Sequence, residues 1–146
     1  MIITYRVVFV YVDKKDNLLI IPTGESEKYG TMGLDLFYQL DSPYSNDELE
    51  KTLHEALDMC CSKKPQDDTT ESSIERHLKV KGFSKAVKDK KLVSVNWNID
   101  DGFYVTPTQK IPKKGYVHMN DIILGKELEY GALTKALKFA ILSSSS

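Results

Sequence analysis

The sequence has few residues of the kinds that build disulfide-stapled or metal-dependent folds. Only two of its 146 residues are cysteines, Cys60 and Cys61, and only three are histidines. Adjacent cysteines cannot easily close an unstrained disulfide, so we expect free thiols and a reducing, cytoplasmic location. The pair also lacks the spacing of zinc-binding cysteines and has no histidine nearby at ligand spacing. The sequence therefore predicts no metal site, and no motif in it indicates a cofactor.

Long apolar runs and targeting signals are also lacking. No stretch approaches the ~20 apolar residues that a membrane span requires. The N-terminus has neither the basic region nor the cleavage site of a secretory signal peptide. We therefore expect a cytoplasmic protein without a membrane partner, folded as a single domain over residues 1–146.

Charge is nearly balanced overall but unevenly distributed along the chain. The formal net charge of −1 argues against indiscriminate binding of nucleic acid. Ten acidic residues and three lysines lie between Asp41 and Glu75, a net of −7, whereas seven basic residues and one aspartate lie between Arg76 and Leu92, a net of +6. This pattern could steer a charged partner, or the two runs could be solvated helix faces that pair with each other. Binding of nucleic acid through the lysines of residues 79–91 is a weaker alternative.

The N-terminal residues have the pattern of strands. Residues 2–12 are rich in Val, Tyr, Phe and Thr and carry one charge, which predicts a central strand. After a polar turn, residues 18–21 predict a returning strand, which Pro22 should end because proline cannot donate to a sheet ladder. Residues 23–33 are expected to form a glycine-containing loop. A further short strand could cover residues 34–40.

Two helices carry clear N-terminal signals. Residues 45–48 (SNDE) are a predicted capping box, and an apolar stripe at helical spacing follows, made of Leu49, Leu53, Ala56, Leu57 and Cys60. Pro65 is expected to end this helix. Residues 72–75 (SSIE) are a second predicted capping box, which opens a shorter helix that Gly82 should terminate.

A β-hairpin is predicted in the second half of the chain. Residues 92–98 alternate in hydrophobicity, and residues 103–106 form the returning strand, which Pro107 should close. Between them lies Asp100-Asp101-Gly102, and Asp-Gly is a strong signal for a hairpin turn.

The chain is predicted to end with a strand, a helix and a loose tail. A short strand is expected at residues 116–118 and a helix at residues 129–142, whose apolar stripe is Leu133, Ala136, Leu137 and Ala140. The serines at positions 143–146 are expected to form a frayed tail. Together these elements predict an α+β fold, with helices packed on a largely antiparallel β-sheet.

Candidate catalytic residues are few and scattered. His118 could act as a general base or bind a metal together with Asp100, Asp101 or Asp121. This set supports an alternative function as a small hydrolase or nuclease. That alternative requires the histidine and the carboxylates to converge in one concave site.

The second half of the chain resembles the immunity proteins of bacterial contact-dependent growth inhibition (CDI) systems. The resemblance lies in residues 92–97 (LVSVNW), 101–108 (DGFYVTPT), 115–118 (GYVH) and 133–137 (LTKAL). It implies a cytosolic protein without catalytic activity. Such a protein binds the C-terminal toxin domain of its cognate CDI effector, which is often a nuclease such as a tRNase or DNase, in a one-to-one complex.

An acidic surface on an immunity protein would complement the basic surface with which a nuclease binds phosphate. Tyrosine adds contact area to such a surface with little loss of rotamer entropy. We therefore expect the toxin to contact the acidic segment before and within the second helix and the hairpin turn, namely Asp67, Asp68, Glu71, Glu75, Asp100, Asp101 and Tyr104.

Overall fold

The computed structural model describes residues 2–146, which form an eight-stranded antiparallel sheet and four helices. The elements are β1 (Tyr5–Val12), β2 (Leu18–Ser26), β3 (Gly30–Gly33), β4 (Tyr38–Leu40), α1 (Asn46–Met59), α2 (Ser73–Leu78), α3 (Phe83–Ala86), β5 (Lys91–Asn98), β6 (Gly102–Ile111), β7 (Gly115–His118), β8 (Ile122–Gly125) and α4 (Ala132–Ser143). None of these helices is long and apolar enough to cross a membrane. The predicted packing of helices on an antiparallel sheet is confirmed, although strands predominate.

The sheet curls into a half-barrel around its central strand β1. Its strand order is β3-β2-β1-β5-β6-β7, while β4 pairs with β2 and β8 pairs with β6. β1 pairs with β5 along its whole length, with Val8 opposite Val95 and Val10 opposite Val93. The predicted central position of the first strand is therefore confirmed.

Helices cover both faces of the sheet and create two apolar layers. Because side chains alternate along a strand, neighbouring positions of β1 face opposite layers. The larger layer lies under α1 and α4 and includes Val8, Val10, Ile20, Val93, Val95, Leu53 and Leu137. The smaller layer lies under α2 and α3 and includes Tyr11, Leu19, Ile21, Ile74, Val87 and Leu92. Burial of each such aliphatic side chain contributes roughly 1.5–3 kcal/mol.

Both prolines that were expected to end strands lie inside them. Pro22 is in β2 and Pro107 is in β6. The C=O of Pro22 accepts from Leu34 N–H at 2.9 Å and that of Pro107 from Met119 N–H at 2.9 Å. The N–H and C=O of a residue in an antiparallel strand point to the same side. The position of the missing N–H therefore lies on the outer side of each strand. For Pro22 it lies in the gap between β3 and β4, and for Pro107 in the gap between β7 and β8, so neither proline removes a hydrogen bond from the sheet.

Two strand pairs were not predicted. The segment expected to be a loop, residues 23–33, contains the end of β2 and all of β3, which pair through Thr23 and Gly33 at one end and Ser26 and Gly30 at the other. β8 was not predicted at all, and it pairs with the first residues of β6. Both pairs are short, so neither carries a clear pattern of alternation.

The end of α1 differs from the prediction because the sheet intervenes. The stripe is confirmed, and so is one of the two bonds of the predicted capping box, since Ser45 Oγ accepts from Glu48 N–H at 3.0 Å. The helix nevertheless ends at Met59, well before Pro65. Cys61 adopts a φ of 63°, and its N–H donates to the C=O of Thr23 in β2 at 2.9 Å.

Two further helix boundaries were predicted wrongly. α2 ends at Leu78, because Lys79 adopts the left-handed conformation with a φ of 56°. Gly82 therefore does not terminate α2, and instead precedes α3. α4 begins at Ala132, after Gly131 with a φ of 91°, so residues 129–131 lie outside it.

The C-terminal serines pack against the sheet, in contrast to the frayed tail that was expected. Ser144 is buried, and its Oγ accepts from the N–H of Thr108 at 3.0 Å. Ser145 N–H donates to Thr108 C=O at 3.1 Å, and Ser145 Oγ accepts from Lys110 N–H at 2.9 Å. The tail thus provides backbone partners for the end of β6.

Candidate binding surface

Glu75, one of the predicted toxin-facing residues, is part of a helix cap. It is 7% exposed, and its carboxylate accepts hydrogen bonds from Ser72 N–H at 3.1 Å, Ser72 Oγ at 2.9 Å and Gly82 N–H at 3.0 Å. The bond from the Ser72 N–H is the main cause that lowers the pKa of Glu75 below its usual value. This carboxylate therefore organises α2 and the following loop, and it is not free for a partner.

The other acidic residues of this segment are more accessible. Asp68 is exposed, while Asp67 and Glu71 are half-buried. Asp67 accepts from Ser26 Oγ at 2.6 Å, which ties the segment to the end of β2. Glu71 uses its backbone C=O to accept from Arg76 at 2.6 Å, and this contact does not involve its carboxylate.

Asp100 and Asp101 lie in the turn between β5 and β6, as predicted, and both are exposed. Asn98 organises the turn, since its Oδ1 accepts from Asp100 N–H at 3.0 Å and from Asp101 N–H at 2.7 Å. Tyr104 is half-buried on β6, opposite Asn96. The start of β1 lies between β2 and β5, so it separates this turn from the Asp67 segment.

The structure does not bring His118 together with Asp100 and Asp101, two of the carboxylates of the hydrolase alternative. His118 is exposed on β7 opposite Thr108, whereas the Asp100–Asp101 turn lies next to Gly102. These positions are six residues apart along β6, or roughly 20 Å at strand spacing. Asp121 accepts a hydrogen bond from Thr106 Oγ1 at 2.6 Å. Within residues 2–146, no group of three or more His, Cys, Asp or Glu side chains could hold a metal.

Cys60, Cys61 and His77 are the other side chains considered as nucleophiles or bases, and their surroundings are those of structural residues. Cys60 is 1% exposed, and burial raises the pKa of its thiol. Burial also raises the pKa of Cys61. His77 stacks on Phe37 with 4.1 Å between ring centroids. The interpretation of Cys60 as part of the apolar stripe is confirmed, because it belongs to the core under α1 and α4.

The ion pairs of the protein show how far the acidic and basic runs of the sequence pair with each other. The ion pairs within residues 2–146 are Arg6–Asp58, Lys14–Asp89 and Arg76–Asp35, and His54 forms a hydrogen bond with Glu50. None of them joins the acidic run (residues 41–75) to the basic run (residues 76–92). No ion pair therefore joins the two runs, although Arg76 attracts the neighbouring Glu75 carboxylate, and most carboxylates of the acidic run are exposed.

The outer face of α1 forms an acidic surface that the sequence analysis missed. Because the apolar stripe of α1 faces the sheet, the intervening positions face outward. These exposed positions carry four carboxylates and one lysine, and we name the acidic α1 face after them: Asp47, Glu48, Lys51, Glu55 and Asp58. The signal was available in the sequence as the charges that lie off the helical stripe.

The acidic α1 face continues into an apolar groove. Tyr130 is 73% exposed, and its hydroxyl donates to Asp47 Oδ1 at 3.1 Å. On its other side Tyr130 borders the groove between α4 and β8, which has a volume of about 640 Å³. We call this the α4–β8 groove, and its apolar lining consists of Ile122, Leu124, Tyr130, Ala132, Ala136 and Phe139. Phe139 is 63% exposed, although it lies on a helix whose apolar stripe is fully buried.

A buried carboxylate holds α1 and α4 in this arrangement. Glu50 is 0% exposed, and it accepts from Thr134 N–H in the first turn of α4 at 2.9 Å and from His54 Nε2 at 2.9 Å. Burial raises the pKa of Glu50, but hydrogen bonds from Thr134, His54 and Gly131 outweigh burial, so the pKa lies below its usual value. The charged carboxylate thus stabilises the N-terminus of α4.

Comparison with solved structures shows where this fold occurs. The sequence matches no protein-family profile and no curated protein. The fold is similar to that of a protein of unknown function from Neisseria meningitidis, with a TM-score of 0.70, 14% identity and 99% of both chains covered. It is also similar to a chain of the CdiA-CT/CdiI toxin and immunity complex from Yersinia pseudotuberculosis, with a TM-score of 0.66, 13% identity and 98% of both chains covered. At these identities the likeness concerns the fold.

Proposed function

We propose that this chain is an immunity protein that binds the C-terminal toxin domain of a CDI effector and thereby neutralises it. The observation that carries this proposal is the fold likeness to a chain of the Yersinia toxin and immunity complex over 98% of both chains. Fold alone does not determine function, so the surface has to support the same conclusion.

The surface of the molecule supports binding to a basic protein. Asp68, Asp100 and Asp101 are exposed, and the acidic α1 face adds four carboxylates and one lysine. A toxin that cleaves tRNA or DNA handles phosphate and carries a positive surface, which such carboxylates attract and cover. Neutralisation then requires only a stable one-to-one complex in the cytoplasm, without catalysis by the immunity protein.

The predicted contact residues remain part of the proposal in a reduced form. We infer that Asp67, Asp68, Glu71, Asp100, Asp101 and Tyr104 contribute to the toxin-facing surface, and that Glu75 supports this surface through its cap on α2. Single alanine substitutions of residues central to the interface would each weaken binding by about 2 kcal/mol. Residues at its rim would change mainly the rate of association.

Co-expression with the toxin domain that is encoded immediately upstream of this gene tests the proposal. We expect an equimolar complex on size-exclusion chromatography and survival of cells that produce the toxin. Asp68→Ala and Asp101→Ala then report whether the two predicted acidic groups contact it. If no complex forms and toxin-producing cells still die, the proposed function is wrong and the likeness is one of fold only.

A further inference from the structure

The α4–β8 groove is an apolar surface whose function the fold does not explain. Phe139 on α4 is 63% exposed and Tyr130, just before α4, is 73% exposed, whereas Leu133, Ala136 and Leu137 of α4 pack in the core. Small side chains at Ala132 and Ala136 leave room between α4 and β8. Concave apolar sites bordered by exposed aromatic side chains are typical of the central part of a protein interface.

The charges beside the groove indicate the occupant. Along its rim, Glu129 and Lys135 balance each other. Across Tyr130, however, the acidic α1 face presents four carboxylates against Lys51 and against Arg6, which pairs with Asp58. A second copy of this chain, bound symmetrically, would bring two acidic α1 faces together, and like charges at an interface oppose association. The geometry therefore favours a positively charged partner over self-association.

We propose that the basic surface of the toxin domain docks on the acidic α1 face and inserts an apolar side chain into the α4–β8 groove, between Tyr130 and Phe139. This inference rests on the proposed function and adds the location and chemistry of the contact. The groove holds the toxin in the complex, and we call it the anchor. The carboxylates of α1 attract the toxin before contact, and we call them the steering element. It also assigns the larger share of the binding free energy to a surface other than the predicted acidic segment around Asp68.

The anchor is tested with Phe139→Ala and a matched control, Phe83→Ala. Phe83 is 42% exposed on α3, which covers the opposite face of the sheet. Binding of the co-expressed toxin domain is measured by calorimetry, and circular dichroism verifies that each variant is folded. We expect Phe139→Ala to weaken binding at least about thirtyfold, as for a central interface residue. Phe83→Ala should change the Kd less than about twofold, within the range of a non-contacting surface substitution.

The steering element is tested with Glu55→Lys and its control, Asp89→Lys. Glu55 is exposed on the acidic α1 face, and Asp89 is exposed beside α3. Stopped-flow association rates are measured at several salt concentrations. Glu55→Lys should slow association about tenfold at low salt and make the rate less dependent on salt, whereas Asp89→Lys should leave both unchanged.

Failure of this inference differs from failure of the proposed function. If the unaltered protein binds the toxin but Phe139→Ala and Glu55→Lys bind as tightly and as fast, the docking site is wrong and the immunity function stands. If the unaltered protein does not bind the toxin at all, both are overturned. Weaker binding of folded Phe139→Ala and folded Phe83→Ala by equal factors would also overturn the docking site, since binding would then not depend on the α4–β8 groove in particular.

Discussion

At the scale of single residues, the carboxylates of this protein fall into two classes. Glu50 and Glu75 are buried and accept backbone N–H groups at the N-terminal ends of α4 and α2. Asp47, Asp68 and Asp101 are exposed and have no such structural duty. The first class stabilises the fold, and only the second is available to a partner.

Glu50→Gln tests whether the buried carboxylates, the first class, stabilise the fold. We expect the free energy of unfolding at pH 7 to fall by about 1–3 kcal/mol, because the substitution weakens charge-assisted bonds to Thr134 and His54 in a buried site. Urea denaturation measures this change. The matched control is Glu48→Gln, which alters an exposed carboxylate of the same helix and should change the free energy by less than about 0.5 kcal/mol.

The pH dependence of stability should change in the same variant. Because the pKa of Glu50 is lowered in the folded state, the unfolded chain binds the proton more tightly. The stabilisation is therefore fully present above the unfolded pKa, about 4.3, and is lost as the pH falls through the folded pKa. Urea denaturation from pH 7 down to pH 3 should show a smaller loss for Glu50→Gln than for the unaltered chain. An unchanged pH profile would contradict this role of Glu50.

At the scale of elements, the C-terminal segment completes the end of β6. β6 extends past Lys91, the first residue of β5. There the backbone of β6 forms hydrogen bonds with Ser144 and Ser145 instead. The Oγ of Ser144 also donates to the C=O of Ala140 at 2.8 Å, which closes the end of α4. The tail thus links the last helix to the sheet through residues that have no apolar side chain.

Ser144→Ala should therefore destabilise the protein more than a surface serine does. The N–H of Thr108, a residue that is 0% exposed, would lose its partner, and we expect a loss of about 1–3 kcal/mol in the free energy of unfolding. Ser143→Ala is the control, because Ser143 is exposed and bonds only to the C=O of Phe139. Equal effects of the two substitutions in thermal or urea denaturation would argue against the role of the tail.

At the scale of the whole molecule, one sheet is shared by two apolar layers. β1, β2 and β5 contribute side chains to the layer under α1 and α4 and, at alternate positions, to the layer under α2 and α3. Neither layer can separate without disrupting strands that the other requires. The single domain over residues 1–146 stays a prediction, which the shared strands make testable by unfolding.

Unfolding should consequently be one cooperative transition. Trp97 is the only tryptophan, and it lies under the guanidinium of Arg6 at 5.5 Å from the ring centroid, so its fluorescence reports on the β1–β5 region. Far-ultraviolet circular dichroism reports on all elements. The two probes should give coincident curves in urea. Separate transitions would show that the layer under α2 and α3 unfolds on its own.

The parts of the fold that the sequence predicted correctly depend on local signals. The stripe and cap of α1, the capping box of α2 and the turn between β5 and β6 each involve residues within a few positions of one another. The errors occurred where a distant partner acts. Pro22 and Pro107 stay within strands because interruptions elsewhere in the sheet accommodate them, and α1 ends early because Cys61 bonds to Thr23 in β2.

The sequence by itself determined the types of most elements, the apolar stripes, the uneven charge and the resemblance to CDI immunity proteins, because composition and short-range spacing carry this information. Only the tertiary structure decided which distant backbone groups the carboxylates bind. The bond of Glu75 to Ser72 was part of the predicted capping box, but its bond to Gly82 was not, and Glu50 is occupied by Thr134, 84 positions away in the chain. Whether a carboxylate caps a helix or faces solvent depends on which backbone N–H groups the fold brings to it, and for Glu50 that group comes from a distant part of the chain.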